Sequence, residues 1–122
     1  MDARRARAER RGRRAERIAA LWLWLHGYRI LHRRYRTPMG EIDLVIRRHR
    51  ALAFVEVKSR ASLAAALEAI TPGQRHRLER AARAYLARHP PMPGTSVRFD
   101  ALVLAPGHWP RHLVNAWQPE GR

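Results

Sequence analysis

Four residues whose types could do chemistry share one stretch of the chain: Glu41, Asp43, Glu56 and Lys58. Segments 41–47 and 51–58 alternate in polarity and are joined by Arg48-His49-Arg50, which predicts a β-hairpin. With His49 and Arg50 as the central loop residues, facing positions have numbers summing to 99. Ile42 then faces Val57, Leu44 faces Val55 and Ile46 faces Ala53, so that apolar residues share one face, the register a buried face would select. The other face pairs Asp43 with Glu56, Glu41 with Lys58 and Val45 with Phe54. A four-residue loop keeps these pairs, and a three-residue loop would mismatch the apolar faces.

Like charges directly opposite on a sheet are destabilising. Asp43 against Glu56 therefore calls for a proton, a lysine or a metal ion. Carboxylates are the ligands that Mg²⁺ and Mn²⁺ prefer, and Mg²⁺ commonly takes one or two of them with phosphate and water. A lysine beside such an ion can orient or deprotonate water, or stabilise charge developing on phosphorus. The competing reading is a surface salt-bridge cluster of Glu41, Lys58 and a nearby Arg.

The composition makes that lysine informative. The chain has 122 residues, 25 Lys+Arg against 10 Asp+Glu, and a formal charge of +15. Lys58 is its only lysine, and every other basic residue of the 25 is Arg. A compact ammonium with a readily shifted pKa does what a guanidinium cannot. Such a basic balance points to polyanions, with nucleic acid ahead of membrane. Cysteine is absent, which excludes disulfides, zinc–thiolate sites and Cys nucleophiles. No apolar run reaches the roughly 18 residues of a membrane span. The basic N-terminus lacks the pattern of a signal peptide, so a cytoplasmic location is expected. The seven His show no paired-ligand spacing.

The elements that must position these residues fit one domain. Residues 3–26 read as a helix whose apolar stripe is Ile18, Leu21, Trp22 and Leu25, extended by Ala15 and Ala19. Its first half is an arginine comb that includes Arg13, Arg14 and Arg17. Residues 1–10 are read as a basic extension and 11–122 as the domain. Residues 28–35 read as a strand, and 61–70 as a short helix or helical loop. Thr71-Pro72-Gly73-Gln74 is a capping box opening a second long helix, with Leu78, Ala81, Ala82, Tyr85 and Leu86 on its apolar face. Residues 97–104 read as a last strand, followed by a less regular tail. The predicted order is α-β-β-β-α-β, an α/β fold with a mixed sheet flanked by helices.

Asp43, twelve intervening residues and then Glu56-Val57-Lys58 resemble the PD-(D/E)xK nuclease signature. More closely, the chain resembles the YraN family of uncharacterised bacterial proteins. The likeness rests on Gly12-Arg13-Arg14-Ala15-Glu16, Gly27-Tyr28-Arg29-Ile30-Leu31, Gly40-Glu41-Ile42-Asp43-Leu44-Val45, Phe54-Val55-Glu56-Val57-Lys58-Ser59-Arg60, Ile70-Thr71-Pro72 and Arg98-Phe99-Asp100, and spans about residues 10–117. It implies a restriction-endonuclease-like core, related to Holliday-junction resolvases, and a Mg²⁺- or Mn²⁺-dependent nuclease. It gives metal ligation to Asp43 and Glu56, water activation to Lys58 and a helix-borne acid role to Glu16. Glu41, a third candidate ligand, belongs to the YraN-like motif rather than the general signature. Ile42 stands where that signature often has Pro, and Gln74 stands where many relatives would have Lys.

Other candidates carry competing structural readings. Glu16 lies off the Leu/Trp stripe and could simply partner arginines on its own helix. Gln74 reads first as a capping residue and second as a site residue. Asp100 reads first as an ion-pair partner of Arg98. Arg13, Arg14, Arg17, Arg60, Arg75 and Arg77 are the candidate nucleic-acid contacts, with a solvated face as the alternative. Trp109 and Trp117 could stack on bases, but packing is the favoured reading. The expected function is a metal-dependent endonuclease acting on DNA before RNA, with branched forms compatible and a homodimer left open. The alternatives are a non-catalytic nucleic-acid-binding module of the same fold and, more weakly, a basic adaptor for an acidic protein or membrane.

Overall fold

The computed structural model describes the backbone of residues 3–119 and the side chains of residues 3, 10 and 12–119. Helix α1 (Ala3–Leu25) leads into strands β1 (Arg29–Thr37), β2 (Gly40–Arg48) and β3 (Ala51–Ser59). Helices α2 (Leu63–Glu68) and α3 (Pro72–Arg88) follow, then strands β4 (Ser96–Leu104) and β5 (Arg111–Trp117). The five strands form one sheet in the order β1-β2-β3-β4-β5, antiparallel except for the parallel pair β3–β4. This is the expected mixed sheet flanked by helices, with the short helix expected within 61–70 and one addition, a fifth strand.

The short helix α2 starts at Ser62, whose hydroxyl accepts from the Ala65 N–H at 3.0 Å. Strand β5 replaces the irregular tail. Prolines around Trp109 and a positive φ of 54° at Asn115 disguise it in the sequence. The basic extension expected over residues 1–10 begins outside the described residues. From Ala3 onward its backbone continues α1 without a break. The side chains of Arg4, Arg5, Arg7 and Arg11 in the comb lie outside the described residues.

The sheet is covered on both faces. On one side α3 buries Leu78, Ala81, Ala82 and Tyr85 against Val45, Leu52, Phe54, Phe99, Ala101 and Trp117. On the other, α1 buries Ala15, Ala19, Ala20 and Leu23 against Leu44, Ile46, Ala53, Val55 and Leu102. The α1 packing keeps Ala15, Ala19 and Trp22 of the expected stripe and corrects the rest. Small alanines let the helix axis approach the strands closely, Leu23 is fully buried between them, and Trp22 packs half-buried against the same cluster. Ile18, Leu21 and Leu25 are 43, 56 and 63% exposed instead.

The hairpin register holds where it was most constrained. Leu44 pairs with Val55, Val45 with Phe54, and Ile46 with Ala53, with Arg48 and Ala51 closing a two-residue loop. The expected shared apolar face holds for these residues but not for Ile42, which packs on the α3 side. Alternation breaks at Asp43, where the recorded β2–β3 pairs end. Opposite this point, β1 carries Arg34 at φ 55°, a conformation that costs a non-glycine residue strain. The two strands therefore open beyond Leu44, and the opening is where the acidic residues sit.

Candidate active site

Asp43 marks the fork between β2 and β3. Its Oδ2 accepts the Val57 N–H at 2.8 Å, so a side chain satisfies a backbone donor that the ladder has released. Glu56 and Lys58 follow on β3, two residues apart and therefore on one side of the strand. The Lys58 Nζ lies 3.4 Å from Glu56 Oε2, with both side chains mostly buried. Lys58 thus pairs with Glu56 rather than with Glu41, the partner the register predicted. Glu41 is instead held by Arg36 and Arg34, at 3.5 and 3.8 Å.

Two clefts share this cluster. The larger, about 650 Å³, brings Glu41, Asp43, Glu56 and Lys58 together with Glu16, Arg13, Arg34, Arg36 and Arg60. The smaller, about 200 Å³, joins the same four residues to Gln74, Arg77 and Leu78 of α3. The acidic end of β2–β3 is thus reached from the α1 side and from the α3 side.

Glu16 is buried on α1. Its carboxylate faces Arg33 and Arg34 of β1 at 3.6 and 3.7 Å, its ion-pair partners among the described residues. Arg34 therefore lies between Glu16 and Glu41. No sequence signal singled it out, because in a chain so rich in Arg one more carries no information.

Burial dominates the electrostatics. It raises the Asp43 carboxyl above its ordinary range, opposed by the Val57 N–H and by Lys58. Burial, reinforced by the Asp43 charge, pushes Glu56 up to about 7, with Lys58 and Arg77 opposing. Glu16 is raised by burial too, with Arg34 pulling it down and Asp43 adding to the rise. Two desolvated carboxylates that resist joint ionisation, beside one ammonium, form a locus that gains from a bound cation or proton.

Gln74 departs from its expected role. The Thr71 hydroxyl accepts the Gln74 N–H at 3.2 Å, which is half of a capping box. The reciprocal half is missing. The Gln74 Oε1 is buried with no hydrogen-bond partner among the described residues, and the side chain lines the smaller cleft. An orphaned oxygen beside two carboxylates is a further hard donor for a cation, or an acceptor for water.

The donor set of Asp43, Glu56 and Gln74 is all oxygen, which fits Mg²⁺ or Mn²⁺. Among the described residues, no three His, Cys, Asp or Glu side chains form a ready-made metal-holding group. These residues would supply two carboxylates to such an ion and leave its other positions to small oxygen ligands.

The remaining candidates divide. Arg13, Arg60 and Arg77 line the clefts. Arg14 and Arg17 are exposed and line neither. Arg75 is not at this site. It lies over the Trp117 ring at 5.4 Å and lines a separate apolar cleft between α2 and β5. Being at the start of α3 two residues before Arg77, it points to a different side of the helix.

Asp100 is a buried structural anchor that lines none of these clefts. It accepts from the Arg98 Nε (3.0 Å), the His112 ring (2.8 Å) and the Asn115 N–H (2.9 Å). Burial raises its pKa, but these hydrogen bonds win and hold it below the ordinary carboxylate range. Trp117 packs as expected, stacked on Phe99 and donating to Glu79 at 3.2 Å. Trp109 does not, being 80% exposed on the β4–β5 loop.

Comparison with known proteins places the chain in a family. A family model described as "Uncharacterised protein family UPF0102" matches residues 15–104, which contain every residue of the acidic cluster. A UPF0102 protein of Methylorubrum extorquens is 55% identical over 98% of this chain and 93% of its own length. One from Caulobacter sp. strain K31 is 56% identical over 98% of this chain and 86% of its own length. Another from Parvibaculum lavamentivorans is 54% identical over 92% of this chain and 84% of its own length. The chain belongs to the UPF0102 family, which the YraN-like motifs of its sequence had indicated.

Proposed function

We propose that the chain is a metal-dependent endonuclease that hydrolyses phosphodiester bonds in nucleic acid, on a restriction-endonuclease-like core. One observation carries the reading. The only lysine of a +15 chain lies 3.4 Å from a carboxylate that titrates near 7, with a second desolvated carboxylate alongside. A purely structural ion pair needs one acid per base and gains nothing from the second.

Asp43 and Glu56 would hold Mg²⁺ or Mn²⁺, with Gln74 within the same cleft. A bound ion supplies Lewis acidity at the scissile phosphate and lowers the pKa of water. The chain's own residues do the rest. Val57 N–H fixes the Asp43 carboxylate by a 2.8 Å hydrogen bond. Lys58, whose Nζ lies 3.4 Å from Glu56, would orient the attacking water or neutralise charge on the phosphate. Arg13, Arg60 and Arg77 attract the phosphate backbone without reading sequence. Glu16, tied to Arg33 and Arg34, braces the wall of the larger cleft.

The test is incubation of pure protein with single-stranded, duplex and branched DNA and with RNA, in Mg²⁺, Mn²⁺ or EDTA. Metal-dependent cleavage lost in Asp43→Asn supports the reading. Binding without cleavage on every substrate and metal refutes it. A second reading, a nucleic-acid-binding module without catalysis, draws on the absence, among the described residues, of a ready-made three-ligand group. It predicts that outcome.

A further inference from the structure

The outer surface of α1 is apolar where a polar surface would be expected. Ile18, Leu21, Trp24 and Leu25 are 43, 56, 62 and 63% exposed, although the helix already buries an alanine face against the sheet. Trp109, 80% exposed, joins them from the β4–β5 loop through its ring contact with Trp22 at 5.8 Å. Two distant segments thus contribute to one patch. With a fully exposed Trp counted at about 150–250 Å² and Leu and Ile somewhat lower, the five side chains present on the order of 600 Å². That is at the upper end of the largest patch on an ordinary monomer.

The same helix face continues into charge. Arg14, Ile18, Leu21 and Leu25 follow one helical stripe, and Arg17, Leu21 and Trp24 follow another. Arg14 and Arg17 are exposed. The surface is therefore basic towards the N-terminal half and apolar towards the C-terminal end, with tryptophans at its margin.

A second copy of the chain covers this surface poorly. A standard dimer buries about 800 Å² per partner, more than the patch offers. Antiparallel pairing would press Arg17 of each copy onto the apolar end of the other, and parallel pairing would set arginine against arginine between two +15 chains. A nucleic-acid backbone suits the arginines but offers nothing to Leu21, Trp24 or Leu25. A lipid surface with anionic headgroups suits both halves at once. Arginines meet headgroups, Trp rings sit at the interface, and Leu and Ile enter the acyl boundary.

We propose that the C-terminal half of α1 and the Trp109 loop form a peripheral docking surface for an anionic lipid bilayer. This goes beyond the nuclease reading and does not depend on it. The carboxylate cleft is lined by Gly12, Arg13, Ala15 and Glu16 of α1, whereas the apolar patch is carried by Ile18, Leu21, Trp24 and Leu25, so the two share no residue.

The test uses the full chain with vesicles of phosphatidylcholine alone or with a third phosphatidylglycerol. A +15 protein will meet anionic vesicles by charge, so the decisive variants leave charge unchanged. Leu21→Ser/Leu25→Ser and, separately, Trp109→Ser change only exposed side chains, and circular dichroism checks that the fold is kept. Wild type should partition onto the anionic vesicles, stay bound in 0.5 M NaCl (about threefold ionic strength over physiological, where charge alone is screened), and show quenching by brominated lipid. The double variant should lose at least tenfold in partitioning and all of the quenching, and Trp109→Ser should lose a smaller part of each. Equal partitioning of the variants and wild type overturns the proposal. So does a lipid-free dimer that dissociates in Leu21→Ser/Leu25→Ser, which would assign the patch to a second copy.

Discussion

If Glu56 is kept for chemistry rather than stability, removing its charge should stabilise the fold. Its carboxyl titrates at about 7 against an ordinary 4.5, because burial and Asp43 disfavour the ionised form. At roughly 1.36 kcal/mol for each pH unit between those values, ionised Glu56 costs the fold on the order of 3 kcal/mol. Part of that belongs to the pair with Asp43. Glu56→Gln keeps the shape and leaves Lys58 an oxygen to meet. The folded pKa lies above the unfolded one, so wild type is penalised as pH rises from 4.5 to 7, and fully above 7. The Gln variant should therefore be more stable than wild type by about 1–3 kcal/mol at pH 8, or roughly 3–10 °C in Tm. The two should converge near pH 4.5. Urea unfolding at pH 4.5, 6 and 8 in metal-free buffer measures the difference. Adding millimolar Mg²⁺ at pH 8 should stabilise wild type more than the variant. A Gln variant that is equally or less stable at pH 8, or a difference that ignores pH, refutes the reasoning.

Three other outcomes follow from the same geometry. Asp100→Ala should cost about 3–5 kcal/mol in denaturant unfolding, because it strands a mostly buried Arg98 and an Asn115 N–H. The folded pKa of Asp100 is depressed, so its stabilisation is present above about pH 4 and fades as pH falls below its unfolded value near 3.8. Arg13→Gln and Arg60→Gln should each lower the salt slope of nucleic-acid binding by about one, whereas Arg75→Gln, away from the clefts, should leave it unchanged in a fluorescence-anisotropy titration. Gln74→Ala removes a buried oxygen without a partner and so should not destabilise the fold by more than about 0.5 kcal/mol. It should weaken Mn²⁺ binding measured by calorimetry.

What was readable from the sequence follows from how strongly each feature is constrained. The register of Leu44 through Arg48 against Ala51 through Val55 was fixed by period-two alternation and a tight loop. The Asp43–Glu56–Lys58 cluster followed from that register. Its fine structure did not, because the fork depends on a side chain capturing the Val57 N–H and on a strained Arg34, neither of which has a periodic signature. The α1 stripe was legible in part: Ala15, Ala19 and Trp22 pack on the sheet, whereas Ile18, Leu21 and Leu25, large apolar residues that look like core, face outward. Gln74 sits at a position where capping and site roles need the same residue type, and only the missing reciprocal hydrogen bond separates them. Trp109 and the edge strand β5 lie among prolines that mask alternation.

Single-turnover cleavage under saturating protein tests the central claim most directly. With Mn²⁺ and the best substrate of the panel, Lys58→Met should lose about 10²–10⁴ in rate while nucleic-acid affinity stays near wild type, and Asp43→Asn should lose cleavage and metal binding together. Cleavage that survives in Lys58→Met at the wild-type rate, or affinity lost in step with it, would contradict a hydrolytic site at the fork of β2 and β3.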